Sequence, residues 1–123
     1  MRVMVFVKAA ASIEKNGVPD TPEIKAMMAE MEKYNDALRK AGILKMAEGL
    51  KVSRHAKRVA FNGADRKVID GPFDHLGELV AGFWLWEVRD MEEAVAWVKR
   101  CPNPMNEPSE IDIRPIAEGG DHG

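Results

Sequence analysis

Four titratable side chains fall within one short loop, residues 70–78, and three of them, Asp70, His75 and Glu78, are candidates for acid–base chemistry. Asp70 could act as general base or acid in an apolar cleft. His75 is of the one residue type that ordinarily changes charge near physiological pH, and Glu78 could supply a second carboxylate. Each also has a structural interpretation: Asp70 as a turn residue before Gly71-Pro72, His75 as a surface-loop residue, and Glu78 as a solvated strand end. The sequence therefore predicts Asp70, His75 and Glu78 as candidate catalytic residues, with these alternatives open.

Four further residues are candidates for holding a small ligand. Tyr34, the only tyrosine, lies on a helical stripe, and its hydroxyl could orient a ligand. Phe73 and Trp84 could line an apolar pocket, and Lys8 could meet an anionic group. The alternatives are a core role for Tyr34, a solvated strand end for Lys8, and a dimer core built from Trp84 or Trp86.

Metal, phosphate and nucleic-acid sites are not indicated. Three histidines and one cysteine lie far apart, without a C-x-x-C or paired-histidine spacing, which predicts no metal and no cofactor. Cys101 precedes a proline at a predicted helix C-terminus, a position that disfavours the thiolate, so it is rejected as a nucleophile. A net charge of −2 provides no basic face for nucleic acid.

Size and composition favour one soluble globular domain. The chain has 123 residues, of which 46% are hydrophobic and 31% charged. The sequence lacks an apolar run long enough for a membrane helix, lacks signal-peptide features, and carries a single cysteine, which suits a reducing compartment. We therefore expect a cytoplasmic protein without a membrane partner, with one domain over residues 1–117 and a disordered tail at 118–123.

Local patterns predict two helices and five strand segments, one of which is a two-stranded hairpin. The first helix begins at Pro22, is capped by Asp20 or Thr21, and ends at Gly42. It carries a methionine-rich stripe, which favours a deformable core packed against a sheet and disfavours a cofactor site. The second follows Asp90, with Glu93 completing a capping box. Residues 9–20 are predicted to be a loop. Strands are predicted at residues 2–8, at about 47–53, at 58–61 with a return at 67–70, at 79–88, and at 110–114.

This order predicts an α+β fold: a ferredoxin-like antiparallel sheet with two helices on one face and an extra β-hairpin. The strand over residues 79–88 is apolar on both faces, and the helices can cover only one of them. We therefore expect a homodimer that packs sheet to sheet, with at least one of Trp84 and Trp86 in its core.

With these residues in view, the chain resembles the DGPF group of the YCII-related family. The group's name quotes the tetrapeptide at residues 70–73, and further matches lie in order over residues 1–117. They include Val7-Lys8-Ala9, Ala41-Gly42-Ile43-Leu44, Glu48-Gly49-Leu50, Ala81-Gly82-Phe83-Trp84, Glu92-Glu93-Ala94, Cys101-Pro102-Asn103-Pro104 and Ile111-Asp112-Ile113-Arg114.

The resemblance implies a dimeric α+β barrel, with a site in the cleft between sheet and helices and, for most members, no established activity. It also implies a possible regulatory setting, and the wider superfamily includes isomerase-like and dehydrochlorinase-like enzymes. The resemblance also implies, for enzyme-like relatives, a histidine on the first helix region paired with an aspartate, and residues 22–42 of this chain contain no histidine. A second departure is that residues 74–77 differ from the usual sequence after DGPF, so that only Glu78 is kept.

Three functions follow as hypotheses. The first is a dimeric module that binds an unknown small molecule, with or without a regulatory role. The second is an acid–base isomerase or lyase acting on a small acidic or cyclic substrate, with Asp70 as base. The third is a structural interaction dimer without a ligand.

Overall fold

The computed structural model describes residues 1–105 and 107–120. Six strands and three helices follow one another along the chain. They are β1 (Arg2–Lys8), α1 (Ala11–Asn16), α2 (Pro22–Lys40), β2 (Leu44–Gly49), β3 (Lys57–Asn62), β4 (Asp65–Asp70), β5 (Val80–Glu87), α3 (Met91–Lys99) and β6 (Ile111–Pro115).

Four of the strands form an antiparallel sheet in the order β2-β5-β1-β6, with β1 and β5 at its centre. Side chains of α2 and α3 share one hydrophobic core with a single face of this sheet. The predicted α+β, ferredoxin-like arrangement is confirmed, and β6 is an edge strand as expected. The described residues form an open sheet and not a closed barrel.

The predicted termini of the two long helices are confirmed. The Thr21 hydroxyl accepts the Ile24 N–H at 3.2 Å, and Pro22 occupies the first turn of α2, where a missing N–H is harmless. Gly42 follows α2 with φ of 75°, a left-handed conformation that glycine adopts without strain. At α3, Asp90 accepts the Glu93 N–H at 2.9 Å, while the Glu93 carboxylate reaches the Arg89 N–H instead of that of Asp90.

Two boundaries differ from the prediction. The predicted loop at 9–20 contains α1, because its alanines, Glu14 and Lys15 favour a helix, and the Asn16-Gly17 signal ends that helix instead of marking a loop. The strand predicted at about 47–53 is β2, which starts three residues earlier at Leu44, where Leu44 pairs with Trp86 of β5. It also ends four residues earlier, at Gly49, and Ser53 begins a short 3₁₀ turn instead. The chain turns into the sheet directly after Gly42.

Both strand tryptophans belong to the covered face of the sheet. Trp84 and Trp86 pair with Val5 and Val3 of β1, and all four are buried together with residues of α2 and α3. The prediction that one tryptophan would lie in a sheet-to-sheet dimer core is therefore wrong. Helix side chains fill the space over these rings, because α2 and α3 pack on that face.

The opposite face carries a different set of apolar side chains. Met4 pairs with Leu85, and Phe6 pairs with Phe83, on the face away from the helices. These four side chains are half-buried and have no second layer over them within the described residues. This open face is apolar, as expected, but its side chains are phenylalanine, leucine and methionine and not tryptophan.

Strands β3 and β4 form a separate two-stranded hairpin that turns at Gly63-Ala64, as predicted. Val59 pairs with Val68, and Phe61 pairs with Arg66, whose guanidinium lies 4.6 Å from the ring centroid. The Phe61 residue is 71% exposed.

The end of the described chain is attached to the first strand. Arg2 donates to both Glu118 carboxylate oxygens, at 2.8 and 3.1 Å. The remainder of the predicted disordered tail, residues 121–123, lies outside the described residues. In the described ranges, none of the helices has the length and apolar character required to cross a membrane.

Candidate functional site

A cleft of about 1120 Å³ opens between the sheet and the helices, where β1 ends and β5 begins. Helix α1 and the N-terminal half of α2 form one wall, and residues 50–52 after β2 form another. Residues 80–84 of β5 form the floor. Such concave sites at the junction of several elements are where proteins usually hold small molecules.

Trp84 is held rigidly in this floor. Its indole N–H donates to the Asn35 side-chain oxygen of α2 at 2.8 Å, and both residues line the cleft. The Tyr34 ring meets the Trp84 ring edge-on, with centroids 5.9 Å apart. A buried indole with its N–H satisfied and its ring packed has little freedom to move, so the floor is preformed.

Tyr34 supports Trp84 from behind and does not line the cleft. Its hydroxyl donates to the Trp97 carbonyl at 2.5 Å, and burial raises the pKa of Tyr34 above its ordinary value. The hydroxyl is therefore engaged inside the fold. The predicted ligand contact at Tyr34 stays a prediction, and the geometry provides the alternative core role.

The methionine stripe of α2 divides into two parts. Tyr34 and Leu38 at its C-terminal end are buried in the core. Met27 and Met31 are half-buried and line the cleft, next to Met28, which is 52% exposed. The expected core thus covers only half the stripe, and the remainder forms a deformable apolar wall facing open space.

Glu14 of α1 is the cleft residue with the most defined polar contacts. Its Oε1 accepts the backbone N–H of Ser53 at 2.9 Å and also accepts the Ser53 hydroxyl. Ser53 is buried and begins a short 3₁₀ turn that ends at His55, another cleft residue. These bonds hold α1 against the segment that follows β2.

The DGPF tetrapeptide connects to the same serine. The Phe73 N–H donates to the Ser53 hydroxyl oxygen at 3.0 Å, and the Gly71 N–H donates to the Ala56 carbonyl at 3.0 Å. A Cβ on Gly71 would lie 1.7 Å from the Ser53 carbonyl oxygen, so only glycine fits here. The Phe73 ring lies under the Arg58 guanidinium, 4.0 Å away, and not in the cleft. The tetrapeptide thus joins the hairpin to the Ser53 turn and, through Glu14, to α1.

Asp70 lies on the outside of this junction. Its carboxylate pairs with the Lys57 ammonium across the hairpin at 2.5 Å, with its side chain 74% exposed. It does not line the cleft and, within the described ranges, accepts no backbone hydrogen bond from its own turn. Its catalytic role stays a prediction, and the structure gives it no enclosed setting.

The remaining candidates, His75, Glu78 and Lys8, also do not line the cleft. His75 and Glu78 are exposed, and their described contact is a backbone bond from the Glu78 N–H to the His75 carbonyl at 2.9 Å. Lys8 donates to the Gly77 carbonyl at 2.5 Å and lies 3.5 Å from Asp112. Lys8 therefore fastens the loop to β1. Of the seven candidates, the structure places only Trp84 in the cleft.

Cys101 is half-buried beneath the end of α3, and its thiol contacts the Pro102 carbonyl at 3.2 Å. Burial raises the pKa of this thiol to about 12. The direction agrees with the rejection of Cys101 as a nucleophile, although burial and not the helix terminus is the cause. Among the described residues, no three His, Cys, Asp or Glu side chains are grouped so as to hold a metal ion.

Sequence reasoning missed the polar groups of the cleft. Asn35 carried a weak signal, because it follows Met31 by four residues on the methionine side of α2. Glu14 carried none, since its partner Ser53 lies 39 residues away. His55 lies in a polar segment, a pattern that is typical of a solvated surface loop.

The whole described fold corresponds to one known domain family. A family model for the YCII-related domain matches residues 1–118. The chain belongs to the YCII-related family. The match confirms the resemblance inferred from the ordered motifs, and it covers the sheet, the helices and the hairpin together. Among curated proteins, none matches the sequence significantly. Family membership alone assigns this YCII-related protein no specific biochemical role.

Proposed function

We propose that this YCII-related protein is a binding module for a small, largely apolar molecule, and that the ligand occupies the cleft between the sheet and α2. The observation that carries the proposal is the cleft itself, with its fixed tryptophan floor and methionine wall. Ligand sites typically combine a concave apolar surface with a few well-positioned polar groups. Here those groups are Asn35 and Glu14, each held by a hydrogen bond.

A thermal-shift screen with small aromatic acids, amines and alcohols tests this proposal. Ligands that bind the native state raise its melting temperature. Met31→Trp fills the wall of the cleft and is expected to abolish stabilisation by any hit. Val95→Trp on the exposed side of α3 is the matched control and is expected to keep it. Absence of any hit would support a structural protein without a ligand, whereas hits unaffected by Met31→Trp would show that the ligand binds outside this cleft.

We also propose that two copies associate through the open sheet face. Met4, Phe6, Phe83 and Leu85 support this proposal, because a contiguous apolar face on a small domain is commonly covered by a partner. A face paired with its own copy gives a two-fold dimer. Sedimentation of the wild type at micromolar concentration is expected to report a dimer, and Leu85→Arg a monomer. A monomeric wild type would contradict the proposal.

An acid–base isomerase or lyase is the second candidate, since Glu14 and His55 both line the cleft. In that case Glu14, and not Asp70, is the carboxylate placed to act on a bound molecule. Turnover of a hit compound that is lost in Glu14→Gln and retained in Asp70→Asn would favour an enzyme. Binding without turnover would favour the module.

A further inference from the structure

We infer that the molecule bound in the cleft carries a positive charge, as an organic ammonium ion whose apolar part lies on Met27, Met31 and Trp84 and whose charged group contacts Glu14. This inference rests on the proposed function of the cleft. It concerns the chemical class of the ligand, for which the enzyme hypothesis predicts a small acidic or cyclic molecule.

The charges along the cleft are strongly one-sided. The lining contains five glutamates, one lysine and one histidine, with no arginine or aspartate among the described lining residues. Glu48 pairs with Phe83, so its side chain belongs to the other face of the sheet. Glu32 lies 3.2 Å from the Arg39 guanidinium and is compensated.

Three lining carboxylates remain without a basic partner among the described residues: Glu14, Glu23 and Glu107. Lys51 is the one lysine that opposes them. An anionic molecule entering this cleft would meet repulsion, whereas a cation would gain attraction, and charged clefts select ligands in this way.

Glu14 is the carboxylate best placed to make a direct contact. It is half-buried, while Glu23 and Glu107 are exposed. Ser53 occupies its Oε1 with two hydrogen bonds, and Oε2 has no hydrogen-bond partner among the described residues. A carboxylate oriented in this way offers an acceptor to an ammonium group at little further entropic cost. The methionine and tryptophan surfaces suit an apolar body, and the aromatic floor is itself compatible with a cation.

Benzylammonium, benzoate and benzyl alcohol form a set of probes that differ mainly in charge. Titration calorimetry on the full chain is expected to give a dissociation constant roughly tenfold lower for benzylammonium than for benzoate, with benzyl alcohol between them. Because the carboxylates at the rim are exposed, added salt is expected to reduce this preference.

Glu14→Gln tests the contact itself. Glutamine keeps an oxygen for the Ser53 bonds but removes the charge, so the variant is expected to fold and to lose most of the preference for benzylammonium. Glu30→Gln is the matched control, because Glu30 pairs with Lys33 on an exposed part of α2 and does not line the cleft. If Glu14→Gln unfolds, Glu23→Gln and the salt dependence provide the test.

The outcomes separate the two proposals. Tighter binding of benzoate, with Met31→Trp abolishing it, would overturn the charge inference and leave the cleft as the binding site. A benzylammonium preference that survives in a folded Glu14→Gln variant would overturn the assigned contact. Failure of all three probes to bind at millimolar concentration would overturn both the charge inference and the proposed function.

Discussion

The loop at residues 70–78 and the cleft beneath α2 differ in how their polar groups are used. In the loop, the candidate catalytic side chains of Asp70, His75 and Glu78 are exposed, while hydrogen bonds from the backbone N–H groups of Gly71 and Phe73 hold the main chain in place. In the cleft, the polar side chains of Glu14 and Asn35 are held by hydrogen bonds and line the open space. The loop acts on the fold through its backbone, and the cleft presents side chains.

This difference teaches what the DGPF tetrapeptide does in this chain. Gly71 allows the main chain to pass against Ser53, and Phe73 donates to the same residue. Ser53 in turn holds Glu14 on α1, which is one wall of the cleft. The tetrapeptide thus contacts the wall of the cleft through Ser53, and we expect its effect on any ligand binding to pass through that residue.

The largest expected effect is that of Gly71→Ala. Its new methyl group would lie 1.7 Å from the Ser53 carbonyl oxygen, a backbone atom that cannot move aside alone. We expect a loss of about 3 kcal/mol or more in the free energy of unfolding, measured by urea denaturation. Gly77→Ala in the same loop is the control, since no atom lies within 4 Å of its added Cβ. Equal stability of the two variants would contradict the junction assigned to Gly71.

Ser53→Ala is expected to cost about 2 kcal/mol, because it removes a buried hydroxyl that serves both the Glu14 carboxylate and the Phe73 N–H. Binding of any cleft ligand should weaken as well, since Glu14 of α1 then keeps only the bond from the backbone N–H of residue 53. The exposed Ser109, whose hydroxyl donates to the Asn103 side-chain oxygen at 2.7 Å and which does not line the cleft, provides the control as Ser109→Ala. Normal stability and normal binding in Ser53→Ala would show that the loop and the cleft are independent.

Asn35→Ala is expected to cost about 1.5 kcal/mol, since the buried Trp84 N–H then lacks an acceptor. Tryptophan fluorescence should also change, because the floor of the cleft is less ordered. Asn16→Ala at the end of α1 is the control, and denaturation monitored by fluorescence is the measurement. A stability equal to that of the wild type would remove the basis for a preformed floor.

A pH effect is expected at Asp90, which caps the helix that carries Trp97 behind the cleft. The bond from the Glu93 N–H, assisted by Arg89, holds the pKa of the Asp90 carboxyl below its ordinary value. Because the pKa is lowered in the folded state, the carboxylate contributes stability above the ordinary aspartate range. This contribution is lost as the pH falls from that range through the lowered pKa. Asp90→Asn keeps the cap acceptor, so it should reduce the drop in melting temperature between neutral and acidic pH. An unchanged drop would contradict this role.

The smallest expected effect is that of Asp70→Asn. The Asp70–Lys57 pair is exposed on both sides, so its loss should change stability by no more than about 0.5 kcal/mol. Ligand binding in the cleft should be unaffected. Loss of binding or turnover in this variant would show that the site includes Asp70 in the loop, and would contradict the assignment of the site to the cleft.

Much of the fold could be predicted from the sequence because its signals are local. Thr21, Gly42 and Asp90 mark helix ends by their own backbone and capping chemistry, and the alternation in β5 is visible over eight residues. The face on which Trp84 lies could not be predicted in this way. Alternation separates two faces, but only the packing of α2 decides which one is covered.

The candidate site was predicted less well, for a related reason. Residue type drew attention to Asp70 and His75, whereas the cleft depends on pairings between distant segments, such as Glu14 with Ser53 and Asn35 with Trp84. The helix and strand periodicity of a sequence contains no information about pairings between segments so far apart. The family resemblance correctly suggested a cleft between sheet and helices, although not the residues that line it.

The most direct test of the central claim is an NMR titration of the ¹⁵N-labelled protein with the strongest hit from the thermal-shift screen. The indole N–H signals of the three tryptophans can be assigned with Trp→Phe variants. We predict that the Trp84 indole and the Asn35 side-chain amide signals shift on binding, while the backbone amides of residues 74–78 do not. Shifts confined to residues 70–78, with Trp84 and Asn35 unchanged, would contradict the account.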